Sequence, residues 1–213
     1  MIDKEIKQRI LSSLILIPVA IFFIFKGTVF FIFFLSLLFF ATSYEWSKMC
    51  KTENFIKFFG IIFLLFSFYS CYYLRENIGL IFFLFIILIC VSTDIGGYVF
   101  GKTFKGPKLT KISPHKTYAG VVGSFLLSLA MGLFFLQFTN IDLFKNDNIK
   151  ISIGILFISL ISQLGDLIIS FFKRKAKLKN TGNILPGHGG LLDRIDGMIF
   201  VIPIVFILMI FIK

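Results

Sequence analysis

Apolar residues gather in seven long runs along the 213-residue chain. The runs cover residues 10–25, 29–44, 58–74, 78–91, 119–138, 149–170 and 198–212. A helix that crosses a bilayer needs about 20 predominantly apolar residues, so each run fits one crossing once flanking residues are added. A content of 57% hydrophobic and only 15% charged residues excludes an ordinary soluble domain. We therefore predict an all-α fold, a polytopic transmembrane helix bundle of about seven spans.

The basic residues lie mainly in the loops on one side of these runs. With the N-terminus in the cytoplasm, 17 of the 22 Lys and Arg residues face the cytoplasm. The remaining five are Lys26, Arg75, Lys145, Lys150 and Lys213. Because cytoplasmic loops carry the excess of positive charge, we predict a cytoplasmic N-terminus in a multi-pass protein of the cell membrane. The net charge of +11 is spread among short loops, so we expect no nucleic-acid partner.

Neither a cleaved signal peptide nor a disulfide framework is indicated. The first apolar run follows basic residues, as in a secretory signal, but no small-x-small cleavage site comes after it. We therefore expect this run to remain as a span. Cys50, Cys71 and Cys90 are widely spaced and odd in number, which favours packing residues over disulfides or a metal site.

Four of the eleven acidic residues lie at the predicted cytoplasmic ends of spans. Asp94 is expected at the end of the fourth span and Asp166 one turn before the end of the sixth. Asp193 and Asp196 are expected to begin the seventh. A carboxylate within a span costs about 2.5–3.5 kcal/mol on insertion scales, so such residues indicate a function when partners can be named.

The sixth span carries a polar stripe. Its members recur every three or four residues and therefore share one helix face: Ser159, Ser162, Gln163, Asp166 and Ser170. We expect this face to line a protein interior or a wet cavity. Asp193 and Asp196 are three residues apart and also share a face. Three carboxylates on two helices suit Mg²⁺, which takes oxygen ligands, although Asp193 could instead cap the last helix and Asp196 favour its dipole.

Two predicted cytoplasmic loops supply further polar groups. In the first, Gly187, Gly189 and Gly190 would let backbone amides approach an anion. In the second, residues 101–118, Lys116 could neutralise a polyphosphate, or the loop lysines could touch anionic lipids. Lys173 could likewise bind a phosphate or only set orientation. Together, these groups indicate phosphate-transfer chemistry at the membrane surface.

The stretch SFFKRKAKLKNTGNILPGHGGLLDRID, residues 170–196, resembles the signature of the phosphatidate cytidylyltransferase (CDP-diacylglycerol synthase) family. The matching positions are Ser170, Lys173, Arg174, Lys179, Gly182, Pro186, His188, Gly189, Gly190, Asp193, Arg194 and Asp196. The segment ISPHKTYAG, residues 112–120, is similar to the family's Ser-Pro-Lys-Lys-Thr segment, and QLGDL, residues 163–167, to its Gly-Asp-Leu segment. The likeness covers residues 92–197.

Three positions depart from the family's pattern. Asn180 stands where Asp is expected, and Ile169 and Ala119 stand where many members have Glu. The chain is also shorter than typical members, and the difference lies in its N-terminal half, where one or two spans of the usual set are expected to be missing.

The resemblance implies transfer of CMP from CTP to phosphatidic acid, giving CDP-diacylglycerol and pyrophosphate at the cytoplasmic face. It implies that Asp166, Asp193 and Asp196 are the catalytic residues that bind Mg²⁺; a second, monovalent cation is compatible with the site, and Asp94 is an additional candidate. Phosphates of CTP and of the lipid would be bound by Ser113, Lys116, Thr117, Ser170, Lys173, Arg174, Lys179, His188, Gly189, Gly190 and Arg194. His188 is expected to shape its loop or donate to a phosphate rather than act as a base.

Other functions fit the sequence less well. CDP-alcohol phosphotransferases share an Asp-x-x-Asp-Gly start, but no carboxylate follows Gly197, so half of their metal site is missing. CTP-dependent polyprenol or phytol kinases are the closer chemical alternative. A cation transporter would need polar residues across the whole bilayer, and a purely structural protein would not need the residues GHGG followed by DRID.

We expect a single membrane domain with two regions. Residues 1–91 would form N-terminal transmembrane helices, and residues 92–213 would form the catalytic region with both basic loops. The bilayer is the remaining partner, and a homodimer is compatible with the sequence.

Overall fold

The computed structural model describes residues 2–51, 53–110, 113, 116–139, 147–185, 187 and 189–212. Their regular structure is helical: α1 Ile2–Lys26, α2 Thr28–Met49, α3 Asn54–Tyr73, a π-helical turn Leu74–Ile78, α4 Leu80–Phe104, α5 Tyr118–Gln137, α6 Asn148–Lys175, α7 Leu192–Ile195 and α8 Met198–Ile212. No strand is formed by this described part of the chain beyond two isolated bridges. The all-α prediction is confirmed.

Each of the seven predicted spans coincides with a helical segment, although Phe138 lies just beyond α5, and Ile78 and Gly79 lie before α4. Five segments are long and apolar enough to cross a membrane: Thr28–Met49, Asn54–Ile78, Leu80–Phe104, Tyr118–Gln137 and Asn148–Lys175. Two shorter apolar helices, Leu14–Lys26 and Met198–Phe211, match the first and last runs. The chain is therefore a polytopic helical membrane protein.

Three predicted span ends are wrong. The fourth helix continues to Phe104, so Asp94 lies inside α4. The sixth continues to Lys175, so Asp166 lies more than two turns before its end. Asp193 belongs to the separate short helix α7, and Asp196 and Gly197 form the turn before α8. In α4 and α6 the apolar run ends before the helix does, because polar and small residues continue the backbone hydrogen bonding. At the last span, the polar residues instead form a short helix and a turn of their own before the apolar run begins.

The chain divides into two compact units. The first contains Met1–Leu80 and Phe172–Asp196, and the second contains Ile81–Phe171 and Gly197–Lys213. The division falls within α6 and between α7 and α8. Asp193 and Asp196 therefore belong to the first unit, and Asp94 and Asp166 belong to the second.

In the first unit, Arg75 and Glu76 in the π-helical turn after α3 bind the end of α1 and the start of α2. The Arg75 side chain donates to the carbonyls of Ile24 and Phe25, each at 3.0 Å, in the last turn of α1. The Glu76 carboxylate accepts from the Thr28 amide at 2.6 Å. These contacts satisfy backbone groups that helix ends leave without partners. They bring residues 24–28 and 74–78 to one end of the unit, as the predicted topology requires.

In the second unit, small and hydroxyl-bearing residues pack the helices. The hydroxyl of Thr93 donates to Ser159 at 2.9 Å, and that of Ser124 donates to the Thr93 carbonyl at 2.7 Å. A Cβ at Gly96 would come within 2.9 Å of the Gly123 carbonyl carbon, so α4 and α5 lie almost in backbone contact. Small residues permit such close packing between membrane helices.

The three cysteines pack as predicted. Cys50, Cys71 and Cys90 are buried and free. Burial raises the pKa of the Cys50 thiol, which lies just beyond the last residue of α2. The thiol therefore stays protonated and unreactive at neutral pH.

Candidate functional site

In the second unit, the polar stripe of α6 faces the protein interior. Ser159, Ser162 and Ser170 are buried, which confirms the prediction for this face. Asp166 lies on the same face and is partly exposed. Its carboxylate accepts from the Ser170 hydroxyl at 3.2 Å and forms an ion pair with Lys116 at 2.6 Å.

Backbone hydrogen bonds fold the loop before α5 so that Lys116 reaches α6. The amide of Leu109 donates to the Lys116 carbonyl at 2.8 Å, and the amide of Tyr118 donates to the Pro107 carbonyl at 3.2 Å. The Lys116 ammonium also donates to the Gln163 carbonyl at 3.3 Å. Two residues from the predicted basic loop and polar stripe, Lys116 and Asp166, are thus brought together.

Thr117 and Ser113 have local structural partners. Thr117 is the N-cap of α5, and its hydroxyl oxygen accepts from the Gly120 amide at 3.1 Å. The Ser113 carbonyl accepts from the Lys116 amide at 3.1 Å within a turn. Both residues shape the segment that carries Lys116, and their predicted contacts with substrate stay predictions.

Asp94 shares the surroundings of Asp166. Its side chain is exposed on α4, and it interacts electrostatically with both Asp166 and Lys116. Two carboxylates and one ammonium therefore form a charged cluster in the second unit. A second positive charge would relieve the repulsion between the two carboxylates.

In the first unit, Asp193 is held by three donors. Its Oδ1 forms an ion pair with Lys173 at 2.8 Å, and the side chains of the pair are only 10% and 12% exposed. Its Oδ2 accepts from the amides of Thr181 at 2.8 Å and Gly190 at 3.2 Å. The alternative in which Asp193 caps the last helix is wrong, because α8 begins only at Met198 and Asp193 lies inside α7, whose N-cap is Leu191.

The glycine-rich segment between α6 and α7 forms a tight turn. Leu185 and Gly189 exchange two backbone hydrogen bonds, at 3.0 and 3.2 Å. Gly187 and Gly189 have φ angles of 76° and 86°, which L side chains rarely adopt. The amides of Gly189 and Gly190 both have acceptors within the protein. Pro186 and His188, both singled out from the sequence, lie outside the described residues.

The other predicted phosphate-binding cations lie at the surface of the first unit. Arg174, Lys179 and Arg194 are exposed, and Arg174 donates to the Leu178 carbonyl at 3.3 Å. Asp196 follows α7 in helical conformation and is partly exposed. These side chains are accessible to a charged ligand.

The predicted Mg²⁺ ligands are divided between the units. Asp166 belongs to the second unit, and Asp193 and Asp196 belong to the first. Within either unit, no group of three His, Cys, Asp or Glu residues that could hold a metal occurs among the residues described. Carboxylate oxygens are ligands that suit Mg²⁺, and Asp166 and Asp193 each already bind one positive charge, the ammonium group of a lysine.

The sequence analysis missed Glu45 on α2. Its carboxylate is 1% exposed and accepts from the Leu191 amide at 3.0 Å, the Leu192 amide at 2.8 Å and the Thr181 hydroxyl at 3.0 Å. The aspartates were singled out because a carboxylate is costly within a membrane span. Glu45 directly follows an apolar run, so the same criterion would have identified it.

Similar sequences are found among known cytidylyltransferases. The profile described as the cytidylyltransferase family matches residues 54–212. Phosphatidate cytidylyltransferase of Staphylococcus aureus (strain COL) is 43% identical over 141 residues, which is 65% of this chain and 53% of that protein. The protein of the same name from Staphylococcus haemolyticus (strain JCSC1435) is 40% identical over 141 residues, with the same two shares. The chain thus spans about half the length of the curated relatives it matches.

Proposed function

Because the chain belongs to the cytidylyltransferase family, we propose that it transfers CMP from CTP to phosphatidic acid and releases pyrophosphate. The product is CDP-diacylglycerol, an intermediate of phospholipid synthesis. The relatives named phosphatidate cytidylyltransferase support this choice of substrates.

The observation that carries the proposal is a pair of matching contacts. In the second unit Lys116 binds Asp166, and in the first unit Lys173 binds Asp193. Each pair joins a residue assigned to phosphate with a residue assigned to Mg²⁺. A phosphate that binds Mg²⁺ is also expected to lie next to lysine ammonium groups, since both neutralise its charge. The pairing of a lysine with an aspartate in each unit therefore supports the proposal.

The reaction needs alignment and charge neutralisation more than proton transfer. A phosphate oxygen of the lipid attacks the α-phosphorus of CTP, and the bond from that phosphorus to the oxygen of the β-phosphate breaks. The nucleophile is already anionic, so it needs no general base. Lys116, Lys173 and the exposed Arg174, Lys179 and Arg194 neutralise the charge that builds up on the phosphates. Holding the two anions together supplies the rest of the acceleration.

The carboxylates that would bind Mg²⁺ are Asp193 and Asp196 in the first unit and Asp166 in the second. When bound, the ion polarises the reacting phosphate and favours departure of pyrophosphate. The chain's own contribution is to orient the carboxylates, through Ser170 beside Asp166 and through the amides of Thr181 and Gly190 beside Asp193.

The reaction would take place at the cytoplasmic face of the cell membrane. CTP is cytoplasmic, and the acyl chains of the lipid stay in the bilayer. The basic loop residues support this orientation, because 17 of the 22 cations fall on the side that carries Lys116 and Lys173.

The proposal is tested by measuring which phosphate of CTP is transferred to the lipid. Purified protein in mixed micelles with phosphatidic acid and Mg²⁺ is given CTP labelled on either the α- or the γ-phosphate. The proposal predicts that the α-label enters the lipid while the γ-label leaves as pyrophosphate. With polyprenol offered in place of phosphatidic acid, transfer of the γ-label alone would instead identify a CTP-dependent lipid kinase and overturn the proposal.

A further inference from the structure

Glu45 joins α2 to the loop that carries Asp193. Two of its three donors are the amides of Leu191 and Leu192, at the first turn of α7, and the third is the Thr181 hydroxyl. All of these residues belong to the first unit. A buried carboxylate is costly unless hydrogen bonds compensate for its lost hydration, and this one receives three.

The backbone around Glu45 leaves room for a carboxylate and little else. A Cβ added to Gly182 would lie 2.5 Å from Glu45 Oε1, and a Cβ added to Gly190 would lie 2.7 Å from Oε2. The same added Cβ at Gly190 would collide with the Thr181 hydroxyl. The glycines at positions 182 and 190 therefore let two segments of the loop close around the same carboxylate.

Glu45 and Asp193 accept hydrogen bonds from the same two loop segments, one at Thr181 and one at residues 190–192, but from different donor groups. Thr181 gives its hydroxyl to Glu45 and its amide to Asp193. In the second segment, the amide of Gly190 binds Asp193, and those of the next two residues bind Glu45. Any shift of the loop away from Glu45 would thus also remove donors from Asp193.

We propose that Glu45 is a positioning residue that fixes the loop in the conformation that presents Asp193 to the reacting phosphates. The expected effect of Glu45 on activity rests on the proposed function. Its expected effect on the order of the loop does not. Glu45 lies before residue 54, where the family match begins. The N-terminal helices therefore contribute directly to the site.

The variant Glu45→Gln tests the proposal. The amide nitrogen of Gln donates rather than accepts, so at least one of the three donors loses its acceptor while the size of the side chain is kept. We expect faster trypsin cleavage at the exposed loop lysines, such as Lys179, in the absence of any nucleotide or metal. We also expect a fall in kcat/KM of about 10- to 100-fold and a higher Mg²⁺ concentration for half-maximal activity.

The matched control is Glu76→Gln, the same chemical change at a partly buried carboxylate in the same unit. Glu76 binds the Thr28 amide and Arg75, away from the loop. This variant should lower thermal stability but leave loop cleavage and the Mg²⁺ midpoint at wild-type values. If Glu45→Gln shows the same loop cleavage rate and the same Mg²⁺ midpoint as Glu76→Gln, the proposal is overturned.

A second variant covers the case in which Glu45→Gln does not fold. Thr181→Val removes only the hydroxyl that binds Glu45, and Thr181→Ser keeps it. The valine variant should show faster loop cleavage and a higher Mg²⁺ midpoint than the serine variant, and equal values would overturn the proposal. If wild-type protein makes no CDP-diacylglycerol, the proposed function fails, while the cleavage rates still test the role of Glu45.

Discussion

The ammonium group of Lys116 lies 2.6 Å from the carboxylate of Asp166 and also donates to the Gln163 carbonyl, one turn earlier on α6. This contact joins the loop before α5 to the polar stripe of α6. A phosphate bound beside Asp166 would therefore meet the Lys116 ammonium.

Replacing Lys116 by Gln should lower kcat/KM for CTP by about 100- to 1,000-fold, because one fixed donor to the reacting phosphates is lost. Lys116→Arg should retain part of the activity, since the charge stays. Lys108→Gln is the control, because Lys108 is exposed in the same loop. Steady-state rates of lipid labelling check this prediction, and equal losses in Lys108→Gln and Lys116→Gln would contradict it.

Thr117→Ala should destabilise the protein by about 1 kcal/mol, because the N-cap of α5 loses the acceptor for the Gly120 amide. Thr117→Ser should keep this stability. Thermal unfolding in detergent measures the effect, with Thr103→Ala, an exposed position in α4, as the control. If Thr117 also binds substrate, as the resemblance implies, the KM for CTP should rise in Thr117→Ala; a change in KM without a change in stability would contradict the capping role.

Gly197→Ala should destabilise the second unit. A Cβ at Gly197 would collide with the hydroxyl of Ser162 and lie 3.0 Å from its carbonyl oxygen, so backbone would have to move. Overpacking of this kind costs about 1–3 kcal/mol. The same change at Gly154, where a Cβ would meet nothing within 4 Å, should be neutral or slightly stabilising. Equal melting temperatures for the two variants would show that α6 and the residue after Asp196 pack less closely than the structure indicates.

Asn180→Asp restores the carboxylate that the family pattern has at this position. The Asn180 side chain lies against Gly189, with its Cγ 3.1 Å from where a Cβ would be. If a carboxylate there contributes to metal binding, the Mg²⁺ concentration for half-maximal activity should fall. Titration of activity with Mg²⁺ checks this expectation, and an unchanged midpoint would mark the position as neutral.

Hydrophobicity alone predicted most of the fold. Runs of Phe, Ile and Leu located all seven apolar helices, because each backbone in a bilayer must satisfy its own hydrogen bonds. The end of α4 was missed because Ser92, Thr93 and Gly96 resemble the start of a loop, whereas they are buried in helix packing. Hydropathy cannot distinguish a small residue that packs against another helix from one that ends a helix.

The candidate site was predicted less completely. The sequence motifs identified Asp166, Asp193 and the two lysines that bind them, since chemistry and spacing were both informative. The contacts of Glu45 could not be predicted, because its partners, the amides of Leu191 and Leu192, are more than 140 positions away. Every residue except proline has a backbone amide donor, so the sequence does not show which amides bind a carboxylate. Only the folded chain reveals such contacts.

The most direct measurement is formation of lipid-linked CMP from CTP and phosphatidic acid by wild-type protein, Asp193→Asn and Asp147→Asn. Asp147 is an exposed residue that accepts from the Ile149 and Lys150 amides at the start of α6, so its variant receives the same chemical change away from the site. The account predicts product with equal release of pyrophosphate for wild type and Asp147→Asn, and a loss of at least about 100-fold for folded Asp193→Asn. Equal activity in all three proteins, or folded wild-type protein without product, would contradict it.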